Sequence, residues 1–161
     1  MSVQAAVAPA AERSEAGMTN RMLIALFALA GTLVSAYLTL YAFGLVGEIA
    51  CGSGGCQVVQ NSPWARFMGV PVALIGLAGY GMLFVTALMG LQAAFAGSRA
   101  VSAILVAGAV GGAAFSAYLT YLEAYVIHAW CRWCVVSAVI VGGIVLAAIP
   151  EFRNLRRVSS E

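Results

Sequence analysis

Residues 22–47 read MLIALFALAGTLVSAYLTLYAFGLVG, a run without a single charged side chain. A bilayer core about 30 Å thick is spanned by roughly 20 apolar residues in a helix, so this stretch crosses a membrane. It also exceeds the roughly 7–15 residues of a signal-peptide core and follows a long polar leader, which makes it a retained helix. Three further uncharged windows follow, Phe67–Ser98, Ala100–Leu122 and Trp133–Pro150. The composition agrees, with 63% hydrophobic and 9% charged residues against a charged fraction of about a quarter in soluble domains. The chain reads as an all-α membrane protein, a four-transmembrane-helix bundle over 21–150 with helices at about 21–44, 69–95, 100–124 and 129–149. Residues 1–20 read as a disordered cytoplasmic tail and 151–161 as a second cytoplasmic tail.

All eight basic residues are arginines, and their placement orients the bundle. Arg13 and Arg21 precede the first helix, Arg99 lies between the second and third, and Arg153, Arg156 and Arg157 follow the fourth. Only Arg66 and Arg132 fall in the other two connections. The positive-inside rule then puts both termini in the cytoplasm of a multi-pass protein of the cell (inner) membrane. The net charge of +2 is this bias and implies no nucleic-acid partner.

The four cysteines all fall near ends of apolar segments, in the two external connections: Cys51 and Cys56 in a Gly-rich loop, Cys131 and Cys134 as a C-x-x-C opening the last helix. External placement is the oxidising side, where disulfides form and persist. Thiols at a helix start are ionised more easily because unpaired backbone N–H groups and the helix dipole favour the thiolate, and Arg132 adds a positive charge. The pattern points to thiol and disulfide electron transfer. Two inert disulfides stapling the loops are the plain alternative, although the small loop that the 131/134 pair closes would stabilise little. A zinc or iron–sulfur site built on the four thiolates is disfavoured by the oxidising side.

Gly52, Gly54 and Gly55 should leave the Cys51/Cys56 loop mobile. After it, Val58, Val59, Trp64, Phe67 and Met68 suit a short interfacial helix on an external lid. His128, the one histidine, precedes the C-x-x-C as a candidate proton shuttle or a plain interfacial polar group, and Glu48 and Glu123 read as solvent markers at the helix ends. Ser35-Ala-Tyr-Leu-Thr39 recurs as Ser116-Ala-Tyr-Leu-Thr120. With Gly31 and Gly112 the two copies form small-residue stripes, which suggest that the first and third helices pack as parallel neighbours.

The ordered set of Cys51 and Cys56, Ser62-x-Trp64, Met68-Gly-Val-Pro71, Leu74-Ile-Gly76 with Tyr80, and Cys131-x-x-Cys134 resembles the vitamin K epoxide reductase family in its bacterial branch, over about Arg21 to Pro150. DsbB-type quinone oxidases carry their C-x-x-C in the first external loop; here it is in the second. The resemblance implies a quinone-reducing thiol oxidoreductase that generates disulfides for secreted proteins. Cys134 would face a membrane quinone (ubiquinone or menaquinone), Cys131 would exchange with Cys56, and Cys51 would be attacked by a thioredoxin-like (DsbA-like) external protein. No such domain follows the helices here, so that partner is expected to be a separate chain. Ser62, Trp64, Tyr80 and Ala138 are the candidate quinone-binding residues, with Phe67, Leu74 and Phe115 as possible lining. The animal enzymes carry an asparagine and a tyrosine where this chain has Val72 and Ala138, which implies quinone reduction with little epoxide reduction. The rival readings are a thiol-based heavy-metal carrier, disfavoured because no cysteine lies within the bilayer or on the other face, and a membrane scaffold with structural disulfides.

Overall fold

A computed structural model describes residues 4–52 and 55–158. Helix α1 spans Gln4–Ala42, α2 Gly55–Gln60, α3 Val72–Leu91, α4 Arg99–Leu122 and α5 Arg132–Val158. A 3-10 turn at Pro63–Ala65 and a two-residue antiparallel hairpin, β1 Arg66–Phe67 with β2 Val70–Pro71, join α2 to α3. Four helices are long and apolar enough to cross a membrane, over Gly17–Ala42, Val72–Leu91, Arg99–Ile127 and Arg132–Arg153. Their outer faces are greasy, with Leu33, Val139 and Leu146 each more than 60% exposed, the pattern of a surface solvated by lipid.

Helix ends differ from the sequence expectation in two places. α1 is already helical from Gln4, where a disordered tail was expected to residue 20. That leader is rich in Ala, the best helix former, and lengthening an existing helix avoids the penalty of nucleation. α5 does not stop at 149 but runs through Pro150 to Val158. Membrane helices tolerate an internal proline when neighbours satisfy what it frees, and Glu151, one residue on, is anchored by side chains of two other helices. The lid also differs from the single interfacial helix expected: Val58 and Val59 are on α2, Trp64 is in the 3-10 turn, and Phe67 and Met68 belong to the hairpin.

The four long helices form a ring in which α1 packs on α3 and α5, and α4 packs on α5 and α3. The first and third membrane helices, α1 and α4, therefore lie diagonally, contrary to the neighbour relation read from the repeated stripes. The stripe on α1 does make close packing: a Cβ at Gly31 would overlap the Tyr80 ring, and one at Gly76 of α3 would come 3.0 Å from Ser35 Oγ. Thr39 and Thr120 turn their hydroxyls back to the carbonyls of Ser35 (2.6 Å) and Ser116 (2.9 Å), as hydroxyls in apolar helices do.

One end of the bundle is closed by Arg21. Its Nε donates to Glu151 Oε1 at 2.7 Å and its Nη1 to the carbonyls of Gly90 and Ala96, both at 2.7 Å. Ser102 Oγ donates to Glu151 Oε2 at 2.5 Å. Arg21 and Glu151 are 6% and 2% exposed, and beside them lies a core built on Ile24, Leu105 and Ile144. The network brings together the start of the α1 membrane span, the α3 end, the α4 start and the end of the α5 membrane span, so all four cysteines lie at the opposite end. Removing one member of a buried pair leaves an uncompensated charge, a loss of about 3–5 kcal/mol. Arg21→Ala is expected to lower stability by about that amount, and Arg21→Met combined with Glu151→Leu to recover most of it, measured as thermal unfolding in detergent.

Candidate active site

At the cysteine end the chain forms a second apolar cluster, of Leu38, Ile49, Cys51, Cys56, Val59 and Cys131. Cys51 and Cys56 are joined in a disulfide with Cα atoms 6.0 Å apart, and Cys131 and Cys134 are free thiols. Cys56 and Cys131 are fully buried and Cys51 is 2% exposed. The strap that carries Cys51 is held at Ala50: its N–H donates to Tyr37 Oη at 3.1 Å, and its carbonyl accepts from Trp133 Nε1 at 3.2 Å. The loop disulfide is therefore packed inside the protein.

Glycine at position 55 has a different purpose from the mobility expected of it. Any Cβ there would collide with the Trp130 carbonyl, so the bare backbone is what lets α2 start against the segment leading to Cys131. Gly52 supplies a left-handed turn at φ 65°, a conformation glycine adopts without strain. The rest of that loop, residues 53 and 54, lies outside the described residues. Ser62 Oγ donates to the Val59 carbonyl at 2.7 Å, tying the lid to the end of α2.

Cys131 immediately precedes α5 and acts as its cap, its Sγ accepting the Cys134 N–H at 3.4 Å. The Cys134 thiol and the N–H groups of Cys134 and Trp133 hold the Cys131 thiol below its ordinary range, while burial and the Glu123 carboxylate act the other way. Glu123, expected to mark solvent, is 3% exposed. α4 passes there into a π-helical turn, Glu123–Ile127, closed by His128 in a left-handed conformation (φ 54°). Such π turns recur at functional sites. The turn brings the Glu123 carboxylate inward to accept the Cys131 N–H at 3.1 Å. The Glu123 carboxylate and both α5 sulfurs lie within 4.8 Å of one another. This trio is one donor short of the closed tetrahedral set of a structural zinc site. His128 itself is exposed.

Cys134 opens on a cavity of about 370 Å³ between the helices, within the size range of small-molecule sites. Its wall is chiefly apolar, with Leu38, Val72, Phe115 and Val141 among its residues, and its polar groups include Gln60, Tyr80, Ser137 and Glu123. The α4 stripe, Gly112, Ser116 and Thr120, lines this space with Ser35 of α1, so the small residues leave volume between the diagonal helices. Tyr80 lines the cavity, its hydroxyl 2.8 Å from Ser137 Oγ and donating to the Ser137 carbonyl at 3.0 Å. Gln60 Nε2 lies 3.9 Å from Cys134 Sγ.

The other candidates are placed differently. Ser62 and Trp64 line a smaller recess under the lid that also reaches Cys134 and Glu123. Ala138 is not on the cavity wall; Ser137 and Val141 of α5 are, because the inward face of α5 passes through 134, 137, 141 and 144 at helical spacing. The lack of polar groups inferred from Val72 and Ala138 therefore holds only for Val72. Phe67 meets Phe115 edge-on at 6.4 Å beneath the hairpin, and Leu74 is on neither wall. Gln60 and Glu123 escaped the sequence reading. Glu123 was detectable only as an acid one turn inside the external end of an otherwise uncharged helix.

A free dithiol at the mouth of an apolar membrane cavity, backed by a buried disulfide, defines a membrane thiol oxidoreductase. Residues 22–149 match the model of the vitamin K epoxide reductase family, and the chain belongs to that family. Membership makes it an oxidoreductase linked to quinone. Because the Cys131 thiolate is favoured, its absorbance in a Cys51→Ala/Cys56→Ala background is expected to appear at lower pH than the ordinary thiol value of about 8.5. Cys134→Ala removes the leading donor and should move that midpoint upward.

Proposed function

We propose that this protein oxidises an external thioredoxin-like protein and passes the electrons to a membrane quinone, so generating disulfides for secreted proteins. The observation that carries the reading is the double placement of the C-x-x-C: Cys131 is buried in one cluster with Cys51 and Cys56, whereas Cys134 opens on the cavity.

The cavity suits a quinone by its chemistry, an apolar wall with hydrogen-bond donors near the sulfur. Gln60 would hold one ring carbonyl, Tyr80 the other once its hydroxyl turns from the Ser137 carbonyl, and the apolar wall would exclude water. The quinone, when bound, supplies a two-electron, two-proton acceptor. The contact between α3 and α4 is the loosest in the ring, and Met82, on the cavity wall, is 52% exposed, which favours entry from lipid there.

The protein's own steps are thiol exchanges. A thiolate of the partner attacks Cys51, and Cys56 leaves as a thiolate; a second partner thiol then releases Cys51. The Cys56 thiolate attacks Cys131 of the oxidised Cys131–Cys134 pair and Cys134 leaves; Cys51 then resolves the Cys56–Cys131 bond. The relay ends with a loop disulfide and a C-x-x-C dithiol. Because Cys51 is almost fully buried, its attack requires the strap at Ala50 to leave Tyr37 and Trp133. The arginine distribution supports an orientation with this end outside the cell membrane and both termini in the cytoplasm.

Cys51→Ser with Cys134→Ser leaves Cys56 and Cys131 as the only thiols, and they are expected to accumulate as one disulfide in non-reducing peptide mapping. Its absence would exclude the relay order. Cys134→Ser alone should abolish reduction of a soluble quinone analogue while the loop disulfide still exchanges with its partner. A cysteine placed at Ser98 should react with a membrane-permeant maleimide but not with an impermeant one added to intact cells; labelling by the impermeant reagent reverses the orientation.

A further inference from the structure

We propose that Glu123 is the proton carrier of the C-x-x-C pair, taking protons from its thiols and delivering them to the quinone oxygens. This rests on the quinone-reducing reading above and adds to it the route of the protons.

Oxidation of the pair breaks two S–H bonds, forms the Cys131–Cys134 bond and sends two electrons and two protons to the quinone, which leaves as the hydroquinone. Electrons pass directly from sulfur, but protons need an acceptor within hydrogen-bond reach of both the thiols and the ring oxygens. Glu123 is in that position. Its carboxylate lies within 4.8 Å of both sulfurs, and it borders both the large cavity and the recess under the lid. In the dithiol form it holds the Cys131 proton as a neutral acid beside the thiolate; it passes that proton to the quinone, then relays the Cys134 proton, and is a carboxylate in the disulfide form.

Its surroundings differ from those of a structural acid. Glu151, at the other end, is neutralised by Arg21 at 2.7 Å. Among the described residues no cation pairs with Glu123, whose hydrogen-bond partners are the Cys131 N–H and the Cys134 thiol. A buried acid in a membrane segment without a counter-charge is expensive to keep and marks a functional site. The titratable groups that share its environment are few: the two α5 thiols and, across the cavity, Tyr80 of α3, whose hydroxyl is engaged by Ser137. α2 presents the uncharged Gln60, and Arg66, Arg132 and His128 are exposed.

Glu123→Gln separates carrier from scaffold, since the amide oxygen still accepts the Cys131 N–H while the proton-accepting function is lost. Detergent-purified protein, pre-reduced with dithiothreitol, is mixed with a water-soluble quinone analogue in stopped flow. The variant is expected to oxidise about 100-fold more slowly than wild type and to lose the pH dependence of that step, with loop-disulfide reduction by dithiothreitol unchanged. A second readout needs no quinone: the infrared difference between dithiol and disulfide forms of the wild type should contain a protonated-carboxyl C=O band that Glu123→Gln removes. Wild-type rate and pH profile in the variant, or no carboxyl band in the wild type, overturns the proposal. If the wild type itself fails to reduce the quinone, the functional reading falls, while the infrared band still decides whether Glu123 exchanges a proton with the thiols.

Discussion

Arg21 binds all four membrane helices at one point. It is carried by α1, reaches Glu151 and through it Ser102, and donates to carbonyls at the end of α3 and in the turn before α4. A guanidinium suits this position because its planar fork can satisfy several acceptors at once while staying charged. With one end held together by charge-assisted bonds, the helices need not pack tightly along their whole length. The volume left open lies toward the other end, where the diagonal helices α1 and α4 face each other with Ser35, Gly112, Ser116 and Thr120.

The division between the two ends also sets where polar groups are tolerated. In a bilayer each polar side chain must be paired or must line a cavity. Arg21, Ser102 and Glu151 satisfy one another, and Glu123, Gln60, Tyr80 and Ser137 border the cavity. The first group confers stability; the second costs stability and supplies chemistry. The π turn at Glu123 belongs to the second group, since it ends a regular helix early in order to aim a carboxylate at two thiols.

The sequence made the membrane class, the helix number and the two cysteine pairs readable because each depends on local composition: long uncharged windows, and cysteines at their ends. What it left hidden depends on which helix meets which. The Ser-Ala-Tyr-Leu-Thr repeat was visible, but whether its small residues face a partner helix or an empty volume is fixed by the ring order, and only one copy turned out to pack closely. Ala138 and Ser137 are adjacent in sequence, and a helical phase of one residue, about 100°, decides which faces the cavity. Glu123 looked like a solvent marker because an acid near a helix end usually is one. Only the π turn, with no clear local signature, turns it inward. Arg21 and Glu151 were hidden for a similar reason: the proline at position 150 suggested a helix end just before the acid that the helix in fact carries onto Arg21.

In the relay proposed above, the burial of the loop disulfide would set the order of the exchanges. A disulfide open to the outside could exchange with any passing thiol, and a C-x-x-C open to it could be reduced without the loop. Here Cys56 and Cys131 have no exposed surface and Cys51 is 2% exposed, so none of the three meets a thiol from solvent while the strap that carries Cys51 stays in place. Among the described residues, Ala50 ties that strap to α1 through one hydrogen bond and to α5 through another. Trp133, which supplies the second, also packs against Tyr37, which supplies the first, with ring centroids 5.3 Å apart. Trp133 sits between Cys131 and Cys134 in the C-x-x-C itself. A residue that holds the strap over Cys51 is thus part of the C-x-x-C motif itself.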